Sequence, residues 1–230
     1  MPYAIATTFL VVSLLLGTTS PAVAQHTQDE QLWAQGLVLG RLGDWRTHLE
    51  LQPRFFDEAS ELGLVIARTA IGRALSPRAS AWLGYAWVPR TFGPGVRHEQ
   101  RLWQQVLVVP PAVAGWAPSV RLRLEQRWLE PWENTSHRLR TLVRAQRAID
   151  AGRRWQVASY NELMVTFDDT ARGPAQGYDR NRFYTGVMRT MTASATIEAG
   201  YIWEHSSLPG PGDKHDHAAI GVLTLQWPRR

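Results

Sequence analysis

His205-Ser206-Ser207 sets a histidine and a serine two residues apart. On an extended segment such residues share a face, so the imidazole could take the serine proton and direct attack on an acyl carbonyl. Glu198 or Glu204 is the carboxylate at hand to orient that imidazole. His215-Asp216-His217 repeats the spacing with two imidazoles, but no third dedicated ligand accompanies them. The chain has no cysteine, so a thiolate metal centre and a disulfide framework are both unavailable. Neither a glycine-rich phosphate loop nor a serine-hydrolase elbow is present, and no metal or cofactor is expected. Asn134-Thr135-Ser136 matches a glycosylation sequon and reads as a polar loop tip.

The larger chemical signal is arginine beside glutamate. Val120-Arg121-Leu122-Arg123-Leu124-Glu125-Gln126-Arg127-Trp128 alternates charge with apolar side chains, as does Trp45-Arg46-Thr47-His48-Leu49-Glu50-Leu51. Period-two alternation sends the two sets to opposite faces of a strand. The pattern recurs over Trp45–Phe55, Leu62–Leu75, Ala79–Val88, His98–Val109, Val120–Leu129, Arg138–Ile149, Trp155–Phe167, Asn181–Met191, Ser194–Trp203 and Ala218–Trp227. Helical periodicity of useful length is absent between these segments.

Ala4–Leu16 is an apolar run too short to span a bilayer as a helix. Thr18-Thr19-Ser20-Pro21 interrupts it, and Ala22-Val23-Ala24 offers a small-x-small cleavage pattern. Residues 1–24 therefore read as a signal peptide, and 25–230 as one exported domain. Behind such a signal, alternating segments of this length predict an antiparallel transmembrane β-barrel of about ten strands, twelve being the alternative. Short connections such as Ser76-Pro77-Arg78 and Thr192-Ala193 alternate with longer ones at Pro89–Arg97, Glu130–His137, Asp168–Tyr178 and Ser206–His217. That is the order of short periplasmic turns and longer external loops, with the C-terminus in the periplasm. Leu32–Leu42 looks like an eleventh strand, which conflicts with the even count required if both chain ends lie in the periplasm.

Trp45 and Phe55 face the same way and span about 25 Å along the membrane normal at a tilt near 40°. They are expected in aromatic girdles with Trp128, Trp155, Phe167, Trp203 and Trp227. Strand parity sends Arg46, Glu50, Arg54, Arg68, Glu99, Arg101, Arg121, Arg123 and Glu125 to the lumen. Arg127, Arg138, Arg140, Arg144, Glu162, Arg182, Glu198 and Glu204 complete that charge network. About ten strands fall near the size at which side chains fill the interior, so a paired, filled lumen is expected; an anion-preferring pore is the other reading. The net charge of +5 is spread along these segments, and Lys214 is the only lysine. Nucleic acid is not the expected partner. Outer-membrane lipid, lipopolysaccharide and, during export, the barrel-assembly machinery are. Oligomeric state stays open.

Glu50-Leu51-Gln52-Pro53-Arg54-Phe55, Trp82-Leu83-Gly84-Tyr85-Ala86-Trp87-Val88-Pro89 and Glu99-Gln100-Arg101-Leu102-Trp103-Gln104-Gln105 resemble the DUF2490 family. So do Arg123-Leu124-Glu125-Gln126-Arg127, Asn161-Glu162-Leu163 and Tyr178-Asp179-Arg180-Asn181-Arg182, in order along nearly the whole mature chain. The resemblance implies a bacterial outer-membrane barrel and brings no catalytic residues. In that setting the His205/Ser207 spacing is like that of lipid A deacylases, and parity with Trp203 turns both residues toward lipid.

Overall fold

Every described segment longer than a turn is extended, because β-branched, aromatic and arginine side chains alternate with small or apolar ones from Thr27 to Trp227. The computed structural model describes residues 27–130, 134–169, 176–207 and 212–227; the expected signal peptide lies outside these. The strands are β1 (Thr27–Leu42), β2 (Trp45–Phe56), β3 (Glu61–Ser76), β4 (Ala79–Phe92), β5 (Gly95–Val108) and β6 (Ala117–Leu129). There follow β7 (Ser136–Ala148), β8 (Trp155–Thr166), β9 (Gly177–Thr192), β10 (Ala195–Ser207) and β11 (Asp213–Trp227). Each pairs with its sequence neighbours, and β1 pairs with β11 to close a barrel.

The strand count is eleven, not the ten expected or the alternative twelve. Leu32–Leu42 belongs to a full strand, β1. The parity conflict disappears because β1 pairs parallel to β11, from Thr27 against Lys214 to Gly40 against Trp227. An even count is needed only when both chain ends lie at one rim. Here β1 starts at the rim where β11 also starts, and β11 ends at the other.

Two rims result. One carries the tight turns Gly43-Asp44, Pro77-Arg78 and Ala193-Ser194, and is called the turn rim. At the other, the loop rim, β6, β8 and β10 end and β7, β9 and β11 begin. Two expected long loops shrink. Pro89–Arg97 continues the ladder on both sides of Gly93-Pro94, with Gly93 at φ +54°, and of the Ser206–His217 stretch Ser206 and Ser207 belong to β10 and Asp213 to His217 to β11. Gly93 and Pro94 mark a two-residue turn, not an open loop. The apolar link after β5 holds a small hairpin: Val113 and Trp116 pair around Ala114 and Gly115, at φ +50° and +82°. Beside it, Asp150 accepts from the amides of Trp155 (2.7 Å) and Arg154 (3.2 Å), which hold its carboxyl below the usual range.

Apolar residues occupy both sides of the wall. Outside, Leu49, Leu51, Ile71, Leu83, Leu122, Val143, Leu163, Phe183, Val187, Ile197 and Leu223 are exposed. Inside, Trp33, Ala158, Tyr184, Ile202, Ala218 and Ile220 form one buried cluster, and Leu64, Ile66, Ala86 and Val88 form another under Phe56.

Candidate functional site

Between these two inner clusters lies charge. Glu162 on β8 accepts from Arg140 at 2.7 Å, and Arg140 also donates to Glu125 at 2.9 Å. Glu125 accepts from Arg138 at 2.6 Å, and Arg138 reaches Asp179 at 2.8 Å. Asp179 meets Arg180 at 3.3 Å, Arg180 meets Glu204 at 2.6 Å, and Glu204 accepts from Arg182 Nε at 2.8 Å. Arg182 returns to Glu162 at 3.1 Å. Four carboxylates and four guanidiniums thus alternate in a closed, neutral ring contributed by β6 to β10. Multidentate guanidinium–carboxylate contacts of this kind satisfy charges that would otherwise be costly to remove from water.

The remaining charges attach around the ring. Arg121 bonds to Glu162, Arg68 (2.6 Å) and His48 (2.9 Å) share Glu50, and Arg144 meets Glu198 at 2.9 Å. Arg101 and Arg127 share Glu99 at 2.9 and 2.5 Å. Arg123 lies 4.0 Å above the Trp103 ring and donates to Gln105 at 2.7 Å. Arg54 lies 3.5 Å above the Trp33 ring, with Gln52 as its acceptor at 2.9 Å. Cations over indole faces gain electrostatically when partly desolvated. Arg46 stands apart, donating to the carbonyls of Gly43 and Trp45 at the turn rim.

The sequence reading misses Asp179, Arg180 and Arg90: Arg180 shares the face of Arg182 but precedes the expected start at Asn181, whereas Asp179 breaks parity. In the β8–β9 ladder Met164 faces Arg180 and Val165 faces Tyr178, so Asp179 is a bulge residue. The extra residue re-aims side chains, letting Asp179 and Arg180 both enter the ring. The signal available was the run Tyr178-Asp179-Arg180-Asn181-Arg182, whose charges fall on successive positions. Arg90 lies in a stretch that reads as a loop, although it continues β4 into the lumen.

The expected girdle residues divide between the rims by strand position. Trp45, Trp155 and Trp227 stand at the turn rim; Phe55, Trp128, Phe167 and Trp203 stand at the loop rim. His205 and Ser207 are not joined by a hydrogen bond. The two ring nitrogens of His205 face Tyr178 Oη at 2.6 Å and Asp213 at 3.3 Å, and its ring stacks beside Trp203. That arrangement leaves no imidazole nitrogen directed at the serine. His217 is engaged by Tyr201 at 2.5 Å, and among the described residues no group of His, Asp and Glu is placed to hold a metal. In the loop after β8, Asp168 accepts from the amide of His137 (2.5 Å), which with the ring of His137 (2.9 Å) holds its carboxyl below the usual range.

The profile of a protein family described as being of unknown function, DUF2490, matches residues 30–215. This chain belongs to the DUF2490 family. An uncharacterised protein of Methylorubrum extorquens is 31% identical over 216 residues, covering 92% of this chain and 94% of that protein. No solved structure matches the chain.

Proposed function

We propose that this DUF2490 protein is an integral β-barrel of the bacterial outer membrane whose lumen is held shut by ion pairing, and that it serves the envelope through its rims and loops. The observation that carries this reading is the outer face: exposed leucine, isoleucine, valine and phenylalanine side chains between aromatic rows at the two rims. Water would oppose so large an apolar surface on a monomer, whereas lipid favours it. Among the polar side chains on that face, Gln104 pairs with Gln126 and Asn161 with Asn181. Strands of 12 to 16 residues exceed the roughly 9–11 needed to cross a bilayer, so their ends stand beyond the apolar band. Lipid and lipopolysaccharide would meet the outer wall, and the barrel-assembly machinery would insert it.

The surplus of arginine supports a second reading, a narrow pore preferring anions. Two measurements separate them. Full-length protein expressed in a Gram-negative host should sediment with outer membranes and run faster on gels unboiled than boiled. Reconstituted in planar bilayers, it should give no conductance steps; steady anion-selective steps would replace the closed-lumen reading with the pore. Lipid A acylation should be unchanged on overexpression, and a change that depended on His205 and Ser207 would restore the acyl-hydrolase reading.

A further inference from the structure

A cavity of about 240 Å³ opens inside the barrel near the loop rim, above the ion-pair ring. Nine of its lining residues are cationic and two are acidic. Ring pairing balances the arginines of β7 and β9 that reach it. The charges left over are more informative. Arg54 is buried, lines the cavity and has no carboxylate within 4 Å among the described residues. Arg90 is 38% exposed and among the described residues has only Glu99, at 3.8 Å, and that same carboxylate already serves Arg101 and Arg127. About three guanidiniums therefore share one counter-charge. Between and beside Arg54 and Arg90 the wall is apolar: Leu64 pairs with Arg54 on one side and Arg90 on the other, with Phe56 and Ile66 next to it and Met164 contributed by β8. Gly63 makes room for it: a Cβ there would come within 2.0 Å of the Phe56 ring.

We propose that this cavity binds a small amphipathic anion, a phosphate or carboxylate joined to an apolar or ring-shaped group. Planar guanidinium forks match either head group bidentately. An unpaired cation in a desolvated site is costly, so a bound anion gains what the protein's own carboxylates do not provide. The volume lies just below the roughly 300–1,000 Å³ of sites for drug-sized molecules, which limits the apolar part to about one ring. The head group sits against Arg54 and Arg90, and the apolar part against Phe56 and Leu64. The inference rests on the lumen alone, so its failure would leave the envelope reading standing, and the reverse.

The test is titration of the full-length protein in a non-ionic detergent with phenyl phosphate, inorganic phosphate and benzyl alcohol. Calorimetry follows binding, with tryptophan fluorescence, to which Trp33 beneath Arg54 contributes, as a second readout. Phenyl phosphate should bind at least about tenfold more tightly than inorganic phosphate, and benzyl alcohol should not bind. Arg54→Gln and Arg90→Gln should each weaken phenyl phosphate about tenfold, and Phe56→Ala should remove its advantage over inorganic phosphate. Arg90→Gln touches a half-exposed side chain with one loose contact, so it reports even if Arg54→Gln fails to fold. Displacement of phenyl phosphate by dihexanoyl phosphatidate would assign the anion to a lipid headgroup; displacement by soluble phosphate monoesters alone would assign it to the aqueous side. No binding of phenyl phosphate, or unchanged affinity in the arginine variants, overturns the proposal. Equal affinity for inorganic and phenyl phosphate, insensitive to Phe56→Ala, overturns its amphipathic half.

Discussion

Glu162 accepts hydrogen bonds from three guanidiniums, those of Arg121, Arg140 and Arg182, on three strands. A buried ion pair is weak evidence of net stability, because desolvation offsets much of the attraction. Removing one partner is a different matter, since the others stay buried without their counter-charge. Glu162→Gln keeps the shape, opens the ring and leaves those three guanidiniums short of one negative charge. The expected loss is about 3–5 kcal/mol, read as a lower urea midpoint for the β-sheet signal in detergent. A midpoint within error of the parent would show that the ring is ornament on an otherwise self-sufficient barrel. Arg54 lies at the opposite extreme: among the described residues no carboxylate comes within 4 Å of it, and on the proposal above its counter-charge is supplied by a ligand.

Strands impose the facing of nearly every residue, and this is why so much of the site is legible from sequence. Once Glu50 faces inward, Gln52 and Arg54 must follow; all three are buried. The rule fails where the ladder slips. Asp179 and Arg180 both turn inward because one residue is added at the β8–β9 bulge, and no period-two reading contains that addition. Glycine positions were equally silent in the alternation, yet they shape the inner wall. Gly200 on β10 faces Tyr184, and a Cβ there would come within 2.4 Å of the ring and 2.5 Å of the Thr185 carbonyl. The ring could shift, but the backbone oxygen of a paired strand cannot easily move. Gly200→Ala should therefore destabilise by about 1–3 kcal/mol. Gly221→Ala, on the adjoining β11 with nothing within 4 Å of its Cβ, should leave the same urea midpoint unchanged. Equal effects of the two substitutions would refute crowding against the Thr185 carbonyl as the cause.

At the scale of the whole barrel, the feature hidden from sequence is closure. Alternation identifies strands one at a time, but the partner of β1 depends on where the two ends of the sheet meet. An even meander joins its ends antiparallel, and eleven strands force them parallel. The parallel register is continuous, with Trp33 beside Ile220 and Val38 beside Leu225. Its cost is modest, because parallel pairing is only slightly weaker per residue and closure removes two exposed edges. The absence of native cysteine makes this register directly testable. Val38 and Leu225 are exposed on the outer face at paired positions, so Val38→Cys with Leu225→Cys should cross-link under mild oxidation or with a short bifunctional maleimide. Val38→Cys with Ala219→Cys, six residues away along β11, should not, since successive residues advance about 3.3 Å. Cross-linking of the second pair but not the first would mean that β1 closes the barrel in another register. Failure of both would mean an open seam, and the enclosed ring and cavity would then lose their wall.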